Sequence, residues 1–155
     1  MRFIGNIEAK VDAKGRAFLP AAFRKVLQES GEESLVLRKD IFEPCLVLYP
    51  ESAWNRQLDM LRQKLNRWDG KKQAMFRQFV IDAELITLDS NGRMVIPKRH
   101  LKLAEIEQDV RFIGMDDTIE IWNADTANGA FMDADAFAQQ LEDLMTTPGD
   151  TDTNG

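Results

Sequence analysis

Two stretches of this chain carry the same reactive side chains at the same spacing. Asp12-Ala-Lys14-Gly15-Arg16 leads through three apolar residues to Pro20, and Asp89-Ser-Asn91-Gly92-Arg93 leads in the same way to Pro97. In each stretch the carboxylate can accept hydrogen bonds from nearby backbone N–H groups, and the glycine permits a positive φ; together they make a turn. The arginine then stands at the mouth of that turn. Its planar fork of donors suits a phosphate, or O6 and N7 of a guanine. Lys10, Lys14, Arg24 and Lys25 accompany Arg16, while Lys98, Arg99 and Lys102 accompany Arg93. Asp12, Gly15, Asp89 and Gly92 are expected to shape the turns, and Arg16 and Arg93 to do the binding. Two basic clusters generated by an internal repeat suit nucleic acid. On these residues alone, a DNA-binding domain and a protein-interaction barrel both stay open.

Catalytic chemistry is poorly supplied. His100 is the only histidine. Beside a basic helix it is expected to be a surface or contact residue. There is no Gly-x-Ser-x-Gly elbow and no phosphate loop. Cys45 is the only cysteine and reads as a small core residue, so neither a disulfide framework nor a cysteine zinc site is expected. Two related halves, each offering one aspartate, could form a shared-proton dyad. Neither aspartate is followed by Thr/Ser-Gly, however, and the arginine four residues on favours ionisation. The expectation is a non-enzyme without metal or cofactor.

The turns require strands on either side. Ile7-Glu8-Ala9-Lys10-Val11 alternates apolar and polar, as a half-buried strand does. A second strand covers 16–19. Pro20 suits the first position of a helix that Phe23, Val26 and Leu27 continue to Ser30-Gly31. Residues 35–37 and 45–49 read as strands around a loop holding Pro44. The second copy repeats the order: strand 85–88, turn 89–92, strand 94–96, a short helix from Pro97, then strands 110–113 and 119–122. A unit of about 45 residues is too small to sustain its own core. The two copies are therefore expected to pack as one pseudo-two-fold barrel. Between them, after Pro50-Glu51, the residues Trp54, Leu58, Leu61, Leu65 and Trp68 make one apolar helical stripe. Asp69-Gly70 interrupts it, and a second helix carries Met75, Phe76, Phe79 and Val80. A last helix starts near Asp133 with Phe137, Leu141 and Leu144. Residues 146–155 hold only Thr, Asp, Gly, Asn and Pro and are expected to be disordered. The bounds are 5–52 and 82–125 for the repeats, 53–81 for the insert and 126–155 for an acidic C-terminal segment.

Of 155 residues, 44% are hydrophobic, ample for a core. No apolar run reaches the roughly 18 residues of a membrane span. Met1-Arg2-Phe3-Ile4-Gly5 shows no signal-peptide pattern, so a cytoplasmic protein is expected. The net charge of −6 argues against nucleic acid until its distribution is considered. All 20 Lys and Arg lie at or before Arg111, whereas 10 of the 26 Asp and Glu lie after it. The first part thus carries +4 and the remainder −10. A locally basic surface survives the acidic total, and binding responds to the local field.

The doubled Asp-x-x-Gly-Arg motif resembles the MraZ family. So do Phe23-Arg24, Leu48-Tyr49-Pro50 with Trp54, Phe76-Arg77-Gln78-Phe79 and Glu120-Ile121-Trp122. The resemblance covers the chain to about residue 125. It implies an α+β fold of two AbrB-like swapped-hairpin β repeats. It also implies a nucleoid-associated transcriptional regulator that binds repeated boxes in double-stranded promoter DNA. Its targets would be the division and cell-wall gene cluster, including its own gene. It implies ring-shaped homo-oligomers presenting the loops 12–16 and 89–93 to DNA. The rival class is an antitoxin-like or scaffold module of the same fold, acting through protein contacts. Two departures stand out. Asn91 replaces the lysine of the first loop, so the loops need not bind equally. The acidic segment from Asp116 onward runs past the matched region.

Overall fold

The computed structural model describes residues 1–147. In chain order these form β1 (Asn6–Lys10), β2 (Arg16–Phe18), α1 (Ala21–Ser30), β3 (Ser34–Lys39) and β4 (Leu46–Pro50). The helices α2 (Glu51–Lys64) and α3 (Gly70–Val80) come next. The second copy gives β5 (Glu84–Thr87), β6 (Arg93–Val95), α4 (Lys98–Leu103), β7 (Asp109–Met115) and β8 (Thr118–Asn123). A 3-10 turn (Ala127–Ala130) leads to α5 (Ala134–Thr146). The chain is α+β. Pro20, Pro50 and Pro97 each stand one residue before a helix, with φ between −57° and −51° and an extended ψ. Pro20 is thus the last extended residue and not the first helical one. Its ring costs no hydrogen bond there, because a helix start has no acceptor for that N–H.

Six strands form one antiparallel sheet in the order β1-β7-β8-β4-β3-β5, and β2 pairs with β6. Exchanging the two copies turns that order into its own reverse. The sequence repeat is therefore a two-fold relation in the strand order. First-copy β1 lies on second-copy β7, with Ile7 opposite Phe112. Second-copy β5 lies on first-copy β3, with Leu35 opposite Ile86. Each copy supplies an edge strand to the other, so edge N–H and C=O groups are paired across copies.

One core follows from this pairing. Leu35, Leu37, Leu46 and Leu48 of the first copy meet Phe112, Val110, Ile119 and Ile121 of the second, together with Phe23, Leu19, Met94 and Ile96. Phe3 packs edge-on against Phe23 at 5.7 Å. Strands β3 and β4 are apolar on both faces because both are covered. Val36, Val47 and Tyr49 face outward beneath Trp54 of α2 and Phe79 of α3. The Trp54 and Phe79 rings stack at 5.5 Å and 7°. The insert therefore closes the outer face of the first copy's hairpin. The corresponding second-copy face is closed by Trp122, Ile113 and Ala127 around Cys45, which is buried as expected.

Three expectations need correction. The apolar stripe does not reach Trp68: α2 stops at Lys64, and Trp68 is 96% exposed beyond it. Leu65 adopts an extended conformation that ends the helix. Thr146 remains in α5, and 148–155 lie outside the described residues, as does most of the expected disordered tail. His100 is not at the surface but fully buried, with Nε2 2.8 Å from the Asp82 carbonyl oxygen, to which it donates. The reason is the repeat: His100 stands 77 positions after Phe23, which points into the core from α1, and α4 turns the same position inward.

Candidate nucleic-acid interface

Each Asp-x-x-Gly-Arg turn is closed on itself by its aspartate. Oδ1 of Asp12 accepts from the N–H groups of Lys14 and Arg16, both at 2.9 Å. Its Oδ2 accepts from Nε of Arg16 at 2.7 Å. Asp89 repeats the arrangement with Asn91, Arg93 N–H and Arg93 Nε, all at 2.9 Å. The Arg16 backbone N–H, more than its guanidinium, holds the Asp12 carboxyl below its ordinary value despite some opposing desolvation. Arg93 does the same for Asp89. Both carboxylates are thus kept ionised, each by its own arginine. Gly15 has φ +86° and Gly92 φ +81°, the left-handed values the turns need. The carboxylate bonds occupy only Nε of each arginine. Among the described residues Nη1 and Nη2 have no partner, and the side chains are 40% and 33% exposed. The aspartate therefore aims the arginine and leaves its outer donors available.

The two turns are neighbours. Strands β2 and β6 start at Arg16 and Arg93 and pair antiparallel, with Arg16 opposite Val95 and Phe18 opposite Arg93. Side chains two apart in a strand share a face. Arg16, Phe18, Arg93 and Val95 accordingly stand on the outer face, while Ala17 and Met94 point into the core. Phe18 and Val95 are exposed, and the Arg93 guanidinium lies 5.8 Å over the Phe18 ring. The ribbon is tied to the turns: Ile96 N–H donates to Gly15 O at 2.8 Å and Leu19 N–H to Gly92 O at 3.0 Å. A two-stranded ribbon of this kind fits the width of a DNA major groove. Phe18 and Val95 were not singled out from the sequence. The alternation after each arginine, read for its outer face, was the available signal.

The basic residues regroup relative to their order in the chain. Arg24 does not join Arg16. It crosses to the other copy's turn, donating from Nη1 to Asn91 O at 3.2 Å and lying over Gly92. The turn that lacks a lysine thereby acquires an arginine. Lys14 stands exposed beside Arg16. Lys10 pairs with Asp109 at 3.3 Å, and Lys25 reaches Glu29 at 4.0 Å, both in exposed pairs. Arg99 is turned away, to Asp82 and Glu84, and takes no part in the turn. Arg16 and Arg93 thus share the ribbon face with Phe18 and Val95, Lys14 and Arg24 stand at the two turns that lead into it, and Lys25 is held to Glu29 on its own helix.

A family model described as "MraZ protein, putative antitoxin-like" matches residues 3–78 and, separately, 79–144. The chain belongs to the MraZ family. Its MraZ relatives include the transcriptional regulator MraZ of Phocaeicola vulgatus, 61% identical over 147 residues, or 95% of this chain and 96% of that protein. The transcriptional regulator MraZ of Bacteroides fragilis is 54% identical over 154 residues, covering 99% and 98%. That of Clostridium tetani is 34% identical over 145 residues, covering 92% and 98%. The double MraZ match agrees with the doubled motif and with the two-fold strand order. No helix of the described residues is long and apolar enough to cross a membrane.

Proposed function

We propose that this chain is a sequence-specific, non-enzymatic DNA-binding transcriptional regulator. The observation that carries the proposal is the β2–β6 ribbon. Two arginines, each aimed by its own aspartate, flank an exposed Phe18 and Val95 on one face. Guanidinium donors read guanine or phosphate, and apolar side chains read a thymine methyl. Membership of a family whose relatives are named transcriptional regulators supports the same reading. Family membership supports a finer reading, which we propose as well. The repeats 5–52 and 82–125 form an AbrB-type swapped-hairpin barrel around the insert 53–81. The targets are repeated boxes upstream of the division and cell-wall gene cluster, including the chain's own gene. The protein is cytoplasmic and nucleoid-associated and acts as a closed homo-oligomer. One ribbon on one box is a small, largely electrostatic contact, and several on one assembly gain avidity without new contacts.

The test is DNA binding by gel shift across a salt series. Arg16→Ala and Arg93→Ala should each weaken binding by about 1–3 kcal/mol per ribbon while the protein melts normally. Wild-type affinity should fall steeply with salt, as counterion release requires. Unchanged affinity in a folded Arg16→Ala/Arg93→Ala variant would return the chain to the protein-contact class.

A further inference from the structure

We propose that helix α5 of one copy docks into the apolar groove beside α3 and α4 of a second copy of this chain. The proposal rests on the assembly reading above and specifies which surfaces meet. The groove encloses about 890 Å³. Its apolar lining comes from Ile41, Leu61, Met75, Phe79, Ile81 and Leu103. Met75 is 57% and Ile81 68% exposed, so nothing in the chain's own described residues covers them.

Helix α5 is the complementary object. It buries no residue against its own chain, and none of its residues lines the groove. Phe137, Leu141 and Leu144 nevertheless recur at i, i+4 and i+7 with Met145 alongside, all exposed. That is the anchor spacing of a helix lying in a groove. Two exposed apolar faces on one soluble domain each need a cover, and here each can cover the other. The charges agree. The groove lining carries Arg38, Lys39 and Arg99 against Asp40 and Asp82, and the frame helices α3 and α4 add Lys71, Lys72, Arg77, Lys98 and Lys102 with no acidic residue. Helix α5 carries Asp135, Glu142 and Asp143, is capped by Asp133, and has no Lys or Arg. A helix at one place meeting a groove at another is a head-to-tail contact, which repeats until the rotation closes.

The test needs only the mass of full-length protein in solution, without DNA. Leu141→Glu spoils the helix, and Ile81→Glu spoils the groove. Both positions are exposed, so both variants should melt as wild type does. Wild type should run as an assembly larger than the 17.7 kDa monomer. Each variant alone should run as a monomer. An equal mixture should recover a species of twice the monomer mass, in which the intact helix of the Ile81→Glu chain occupies the intact groove of the Leu141→Glu chain. Wild-type mass in either single variant, a monomeric wild type, or a mixture that stays monomeric would overturn the proposal; the last would mean that α5 folds onto its own chain or serves another partner. Because no DNA is present, failure here is distinct from failure of the ribbon reading, which Arg16→Ala tests.

Discussion

On the proposed reading, Asp12 and Asp89 do not contact DNA themselves but aim the arginines that do, Arg16 and Arg93. Asparagine at either position would keep the shape and lose the charge. The glycines differ more than their matching φ values suggest. A Cβ on Gly15 would lie 2.5 Å from the Ile96 carbonyl oxygen, which belongs to the backbone. A Cβ on Gly92 would instead meet the flexible side chain of Arg24, which can swing away. Both changes carry the cost of a positive φ, about 1 kcal/mol. Gly15→Ala should therefore lower the melting temperature more than Gly92→Ala, while Gly92→Ala should chiefly displace Arg24 and weaken DNA binding. Thermal melts beside gel shifts decide this, and equal melts would mean the ribbon yields at Gly15. The carboxylates also fix a pH dependence. Their folded pKa values lie below the ordinary aspartate value of 3.8, because backbone N–H groups and the guanidinium favour the charged form. Their contribution is present above that value and is lost as pH falls through the depressed folded pKa. Asp12→Asn should be less stable than wild type at neutral pH and should converge with it in strong acid. Urea melts across the acid range measure this.

At the scale of elements, the insert is structural before it is anything else. Trp54 sits between Tyr49, at 5.2 Å, and Phe79, at 5.5 Å, and is 8% exposed. Truncating such a side chain leaves a cavity and costs about 3–5 kcal/mol. Trp54→Ala should shift the urea midpoint by that amount. The ribbon lies in a different part of the fold and shares none of the side chains of this cluster. Variant protein that remains folded should thus bind one-box DNA as wild type does. A selective loss of one-box binding would mean that the insert holds the ribbon in place. Opposite Val47 of this cluster stands Glu120 of β8, half-buried. Burial pushes the Glu120 carboxyl upward, and the hydrogen bond from Trp122 Nε1 at 2.8 Å opposes that shift.

At the scale of the molecule, the two repeats cannot be separated. Strand β1 completes β7, β5 completes β3, and β2 has only β6. Residues 79–155 expressed alone would keep only the β7–β8 pairing, losing β2 from β6, β1 from β7, β3 from β5, β4 from β8 and half of the shared core. Circular dichroism should show that fragment unfolded, and a cooperative melt of the fragment would contradict the exchanged pairing. The proposed assembly makes a further demand on DNA. Fragments carrying several boxes should bind far more tightly than fragments carrying one, by the factor that effective concentration supplies. Equal affinity for both fragments would remove the case for avidity.

Sequence alone determined what depends on near neighbours. The turns are legible because Asp, Gly and Arg within five residues close their own hydrogen bonds. The strands and α1 are legible because alternation and helical spacing are local patterns. The position of His100 was also legible, through Phe23 at the equivalent place, though a lone histidine among basic residues pointed outward. Only the tertiary structure decided the rest, because it depends on which segments meet across the chain. That β1 completes the other copy's sheet, that Arg24 serves the second turn, and that Arg16 and Arg93 share one ribbon face with Phe18 and Val95 are all consequences of exchanged pairing. A strand's hydrogen-bonding groups are identical at every residue, so the strand itself does not name its partner. Burial of one shared core does.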